Sequence, residues 1–111
     1  MDTARRVPLV VRPQAQADID DAIGHYLLEA GEDVAARLAD AVVAAFERLA
    51  RNPGLGSPRE GLLPAAPGLR SRSLRPWPYL IFCVQGGQML DVVRMLHGAR
   101  DIPVTLAEPD A

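Results

Sequence analysis

Residues 69–102, LRSRSLRPWPYLIFCVQGGQMLDVVRMLHGARDI, constrain the fold more than any other stretch of the chain. Tyr79 to Val84 is an unbroken apolar run, Gly86-Gly87 is a tight-turn dipeptide, and Met89 to His97 is a second β-rich run. Two such runs with so short a link pair most simply as a hairpin. Leu69 to Arg75 is a third candidate strand. Its period-two alternation sends Arg70 and Arg72 to one face and Ser71, Ser73 and Arg75 to the other.

The upstream half reads as helical cover for that sheet. Val7 to Arg12, VPLVVR, is a short β-branched first strand with Pro8 near its start, where a missing donor is best tolerated. Pro13 then suits the first position of a helix. Ala15, Ile19, Ala22, Ile23, Tyr26, Leu27 and Ala30 recur every three or four residues and lay one apolar stripe along it. Asp18, Asp20 and Asp21 fall in its early turns, where the positive end of the helix dipole favours them. Gly31 is a C-terminal stop, and Asp33 is a candidate cap for a second helix. The second stripe is Val34, Leu38, Ala41, Val42, Ala45, Phe46 and Leu49, and that helix ends at Asn52-Pro53. So short a junction makes the pair an antiparallel hairpin.

Pro53 to Gly68, with four prolines and four glycines, reads as an irregular loop. Beyond the strands, Gly98 to Ile102 turns off the sheet. Residues 1–6 read as frayed and 103–111 as a mobile acidic tail. The expected fold over 1–111 is thus one α+β domain in the order β-α-α-β-β-β, a helical hairpin packed on a small, mainly antiparallel sheet.

A chain of 111 residues is one domain. It buries about two thirds of its unfolded surface, enough for a stable core without disulfides or metal. Cys83, the single cysteine, lies inside YLIFCV and reads as a small buried hydrophobe. No basic-then-apolar leader opens the sequence and no run approaches the roughly 20 apolar residues of a membrane span, so the cytoplasm is the expected compartment. All twelve basic residues are arginine, which points to coding bias as much as to function. Their placement is uneven: residues 1–52 hold six arginines against nine acids, whereas 53–100 hold six against Glu60 and Asp91. An acidic helical half and a basic sheet half imply an anionic or acidic partner at the sheet.

Most catalytic motifs are missing from the sequence. It has no cysteine and histidine cluster at metal spacing, no phosphate-binding glycine loop before a helix and no nucleophile elbow. Gly54-Leu55-Gly56 follows a helix, the wrong context for a dinucleotide fingerprint. No cofactor and no metal are expected.

Several strings, in their order and spacing, carry a family likeness. They are Arg12-Pro13-Gln14-Ala15 followed by Asp18-Ile19, Ile23 to Tyr26, Asn52-Pro53-Gly54, Gly68-Leu69-Arg70-Ser71, Tyr79-Leu80-Ile81-Phe82 and, most specific, Val93-Arg94-Met95-Leu96-His97-Gly98-Ala99-Arg100-Asp101. Together they resemble the ParE toxins of bacterial type II toxin–antitoxin modules, within the wider ParE/RelE superfamily, over nearly the whole chain. The resemblance implies an α+β fold with a helical hairpin on an antiparallel sheet. It also implies a ParD-like antitoxin whose C-terminal segment wraps the toxin in a hetero-oligomer. It further implies a protein, not itself an enzyme, that binds DNA gyrase and blocks replication. RelE-like relatives instead cleave mRNA on the ribosome, and a third reading is a non-toxic homologue that only binds antitoxin. Contact with membrane or sequence-specific nucleic acid is not implied.

Individual residues divide between functional and structural readings. His97 is either a general acid or base in RNA cleavage or a strand terminator bonded to the Gly98 to Asp101 turn, and the structural reading is preferred because no proton-transfer partner is visible. A nuclease of this superfamily typically sets a tyrosine, histidine or carboxylate beside basic residues near the sheet's end. The sequence offers only Tyr26 and Tyr79, neither after His97. Arg70, Arg72 and Arg75 either neutralise phosphates or form the solvated face of an edge strand. Arg94, flanked by Val93 and Met95, suits an ion pair better than catalysis; in the nuclease alternative it joins Arg70, Arg72 and His97. Arg100 with Asp101 reads as a turn stabiliser, and Trp77, between Pro76 and Pro78, as a capping aromatic or a stacking surface. Glu60 and His25 show no companion that would make a site. Candidate target contacts are thus Arg70, Arg72, Arg75, Trp77, His97 and Arg100. Candidate antitoxin contacts are Ile23, Tyr26, Leu27, Leu38, Val42 and Phe46, where an amphipathic helix would lie in a groove.

Overall fold

The computed structural model describes residues 7–54, 56–58, 68–99 and 102–106. Strand β1 (Leu9–Val11) leads into helices α1 (Pro13–Ala30) and α2 (Glu32–Arg51), followed by strands β2 (Ser57–Pro58), β3 (Arg70–Ser73), β4 (Tyr79–Gly86) and β5 (Met89–His97) and a short helix α3 (Ile102–Leu106). The sheet order is β1-β5-β4-β3-β2. β1 joins β5 in parallel and the other three pairings are antiparallel. The expected α+β architecture, a helical hairpin on a mainly antiparallel sheet, is therefore the one found.

Pro13 sits at the start of α1 as its fixed φ allows, and no side chain caps that end. Gly31 then serves both helices. Its N–H donates to the Tyr26 carbonyl at 3.0 Å and its carbonyl accepts from Ala35 N–H at 3.1 Å, at a φ of +93° that suits glycine. Asp33 is consequently not the cap of α2 but one of two acids, with Glu32, in its first turn, where the helix dipole favours them. Asp18, Asp20 and Asp21 lie beyond the first turn of α1, too far along for the dipole to account for them.

The β4–β5 hairpin turns at Gly87 and Gln88, with Gly86 opposite Met89. The turn is thus one residue later than the Gly86-Gly87 pair suggests, and Gly87 takes the positive φ, +60°. Between the helices and the sheet, Ala15, Ile19, Leu38, Val42 and Leu49 meet Leu74, Ile81, Cys83, Val92 and Met95 in the main core. The opposite sheet face carries a second buried cluster of Leu69, Phe82, Val93, Leu96 and Leu106. Leu106 belongs to α3, so residues 102–106 are not the beginning of a mobile tail; Leu106 covers apolar sheet surface that would otherwise meet water. The Pro53–Gly68 segment likewise contains a strand, β2, whose two residues pair with Ser71 and Arg70.

One irregularity in β5 sets the relation between layers. Phe82 pairs with Arg94 and Cys83 with Val92, leaving Val93 as the extra residue of a bulge. Just past this bulge, the Arg94 side chain meets both α1 and α3. Its Nε and Nη2 donate to the two oxygens of Asp18 at 2.7 and 2.8 Å, and its Nη1 donates to the Thr105 carbonyl at 3.3 Å. The Met95 backbone N–H also donates to Asp18, at 3.0 Å, on the side of β5 beyond the end of β1. One carboxylate thus satisfies a guanidinium and a strand edge together. The side chains are only 10% and 13% exposed, so removing either partner strands a charge in the interior. The pair between Arg12 and Asp91, 2.9 Å long, is 43% and 29% exposed and screened by water.

Two outcomes follow for solution measurements. Asp18→Ala lowers unfolding free energy in urea titration by about 3–5 kcal/mol, whereas Asp91→Ala changes it by less than about 1 kcal/mol; equal effects would contradict this division. Burial pushes the Cys83 thiol up from 9.0 to about 12. A thiol whose folded value is raised contributes stability in full below its ordinary value, and that contribution is lost as pH rises through the folded value, here between 9.0 and about 12. The native protein therefore resists alkylation at pH 8 and reacts rapidly once unfolded; fast native labelling would contradict the burial.

Candidate target-binding surface

The register of the hairpin places Tyr79, at the start of β4, opposite His97, at the end of β5. Their rings meet edge to face with centroids 5.5 Å apart. The second half of α1 adds Tyr26, which contacts Trp77 at 5.2 Å, Tyr79 at 6.5 Å and its neighbour His25 at 5.2 Å, each edge to face. Trp77 is carried there by the turn 74–78, in which its N–H donates to the Leu74 carbonyl at 2.9 Å. It packs partly buried against the main core, as the capping reading of this residue expects.

A cavity of about 150 Å³ opens beside this cluster, bounded by Asp18, Asp21, His25, Tyr79, Met95 and His97. His25, which shows no companion in the sequence, thus shares a cavity with a second histidine, a tyrosine and two carboxylates. Burial, and secondarily the charge of the Tyr26 phenol and a hydrogen bond with it, push the Tyr79 phenol upward. His97 is committed as well. Its Nδ1 accepts the Ala99 backbone N–H at 3.0 Å, which is the strand-terminating role expected of it.

The arginines divide differently from their sequence pairing. Arg70 donates through Nη1 to the Gly56 carbonyl at 3.0 Å and pins β2 to β3. Gly56 lies so close to β3 that a Cβ would stand 2.8 Å from the Ser71 carbonyl oxygen, at a φ of +104°. Arg72 and Arg75 instead join Arg48, from the last turn of α2, around a groove of about 400 Å³ also lined by Gly56, Ser71 and Ser73. Arg48 lies off the apolar stripe, and no sequence pattern announces which strand its helix end will meet. A shallow, mostly apolar groove of about 390 Å³ continues from Ser73 and Arg75 past Trp77 and Tyr79 to His97. Arg94 is held by Asp18, as its ion-pair reading expects. Arg100 and Glu60 lie outside the described residues.

The antitoxin candidates require correction. Leu38 and Val42 are core residues at 0% and 4% exposure, closed to any partner. Ile23, Tyr26 and Phe46 are partly buried against that core, and among the six only Leu27 is exposed. The accessible apolar side chains of the helices are Leu27, Leu28, at 86% exposure, and Val43, at 56%. A stripe drawn from spacing alone selects the inward face, because that face is what the periodicity records. Among the described residues no group of three or more His, Cys, Asp or Glu side chains is arranged to hold a metal ion. No helix among them is long and apolar enough to cross a membrane.

Comparison with known proteins accords with this architecture. A solved structure described as the chromosomal ParDE TA system from P. aeruginosa has the same fold, with a TM-score of 0.71 and 22% identity over 84% of this chain and 97% of that one. No curated protein matches the sequence. The family model described as ParE toxin of type II toxin-antitoxin system, parDE, matches residues 9–102. That match takes in α1, α2 and all five strands, and the chain accordingly belongs to the ParE toxin family.

Proposed function

We propose that this ParE-family toxin acts in the cytoplasm by binding DNA gyrase, without catalysing a reaction itself, and that a ParD-like antitoxin neutralises it in a hetero-oligomer. The observation that carries the gyrase reading is the state of His97. With Nδ1 accepting the Ala99 N–H, the imidazole at the end of β5 is engaged as a strand terminator and not turned toward a reacting group. What this end does offer is contact area, in Arg72, Arg75, Trp77 and the His97 ring edge along adjoining grooves. Aromatic and arginine side chains of this kind are the usual anchors of protein interfaces.

A second reading, ribosome-dependent mRNA cleavage, is favoured by one observation: His25 and His97 line the same cavity as Tyr79. In that case His25, not His97, would take the proton. The antitoxin reading rests on Leu27 and Leu28, apolar side chains that α1 leaves in water and that suit the apolar face of an amphipathic segment.

Purified toxin is expected to inhibit gyrase supercoiling or to stabilise gyrase-cleaved DNA, and Trp77→Ala with Arg75→Ala to weaken that effect at least tenfold. Unchanged supercoiling at saturating toxin contradicts this reading, and codon-phased mRNA cleavage abolished by His25→Ala would replace it. Leu28→Glu is expected to weaken antitoxin binding by about 10- to 100-fold in titration calorimetry, the equivalent of one buried leucine, with the thermal midpoint unchanged. Undiminished affinity would place the antitoxin elsewhere.

A further inference from the structure

We infer that the groove formed by Arg48, Arg72 and Arg75 holds the phosphodiester backbone of duplex DNA, so that the toxin grips the DNA presented by gyrase as well as the enzyme. This inference rests on the gyrase reading above. Its basis is a convergence of charge from separate elements. Arg48 comes from the end of α2, Arg72 from β3 and Arg75 from the turn that follows it, and all three line one open groove. Among the described residues none of the three side chains has an ion-pair or hydrogen-bond partner, in contrast to those of Arg12, Arg70 and Arg94. Like charges gathered with no carboxylate in the described lining repel one another, and an anionic ligand relieves that repulsion.

The lining decides which anion fits. Apart from the guanidiniums, the described lining is Gly56, Ser71 and Ser73, so among the described residues this groove is walled by charged, polar and backbone groups. An acidic peptide gains specificity through its apolar side chains, whose footing is the adjoining groove at Trp77 and not the arginine-lined one. A phosphodiester chain needs only forked donors and positive charge. The groove is open along its side and shares Ser73 and Arg75 with the shallow groove that runs on to His97. A linear polyanion can pass through such a trench, whereas a small anion would be better held in a closed pocket. Without base-edge contacts the grip is independent of sequence. The acidic side chains on the helices, such as Asp20, Asp40 and Glu47, are exposed and repel the duplex, which confines contact to this side.

Fluorescence anisotropy with a labelled duplex of mixed sequence tests the inference directly. The wild-type chain is expected to bind with a log–log salt slope of about −3, and the Arg48→Ala/Arg75→Ala double variant with a slope of about −1 and at least tenfold weaker affinity. Both side chains are exposed, so a thermal scan should find the variant folded. No duplex binding, binding indifferent to the two substitutions, tighter binding of single-stranded RNA, or binding of poly-glutamate alone would each overturn it. A supercoiling assay run beside it separates the two readings. Gyrase inhibition that persists without groove-dependent DNA binding sinks the groove alone. Groove-dependent DNA binding by a chain inert toward gyrase supports the groove and sinks the gyrase reading.

Discussion

The carboxylate of Asp18 is the point on which the layers of this protein depend. It accepts two hydrogen bonds from Arg94 and one from the Met95 backbone, while Arg94 donates onward to the carbonyl of Thr105. Helix α1, strand β5 and helix α3 are therefore joined through a single buried ion pair. Burying two charges costs several kcal/mol each before any return, and an apolar pair would stabilise a core as well. What the ion pair adds is direction, since a bidentate carboxylate–guanidinium contact tolerates little rotation. It fixes how α1 lies along the sheet, and α1 in turn carries His25 and Tyr26 to the end of β5.

That placement governs the character of the surface. Tyr26 receives Trp77 and Tyr79, and Tyr79 receives His97, so the aromatic cluster is a continuation of the core rather than a separate site. Such rigid, half-buried rings lose little conformational entropy when a partner covers them. Of the adjoining arginines, Arg48 and Arg75 are exposed and Arg72 is half-buried. The bond from the Ala99 N–H to Nδ1 fixes the His97 ring at the end of β5, beside this cluster.

Much of this was legible in the sequence, and the exceptions share a cause. The two apolar runs around Gly86-Gly87, the stripe Ala15 to Ile23 and the stop at Gly31 are local patterns with periods of two or about four, which is why strands, helices and hairpin follow from them. The bulge at Val93 leaves no trace, because an extra residue within an apolar run alters no period. β2 and α3 are too short to display one, and Pro58 and Pro103 disguise both. Arg48 and His25 were invisible as site residues for another reason: each comes to line a groove or cavity only where a helix meets the sheet, and spacing along the chain says nothing of that meeting. Leu38 and Val42 err in the opposite sense, since the same periodicity that finds a core also resembles a docking stripe.

The most direct test of the account is induced expression of the chain in a bacterial host without antitoxin, following cell shape, DNA-damage response and translation rate together. A toxin that works by contact with gyrase predicts growth arrest with filamentation and a damage response while protein synthesis continues. Immediate arrest of translation with mRNA cleavage, and no damage response, would contradict it.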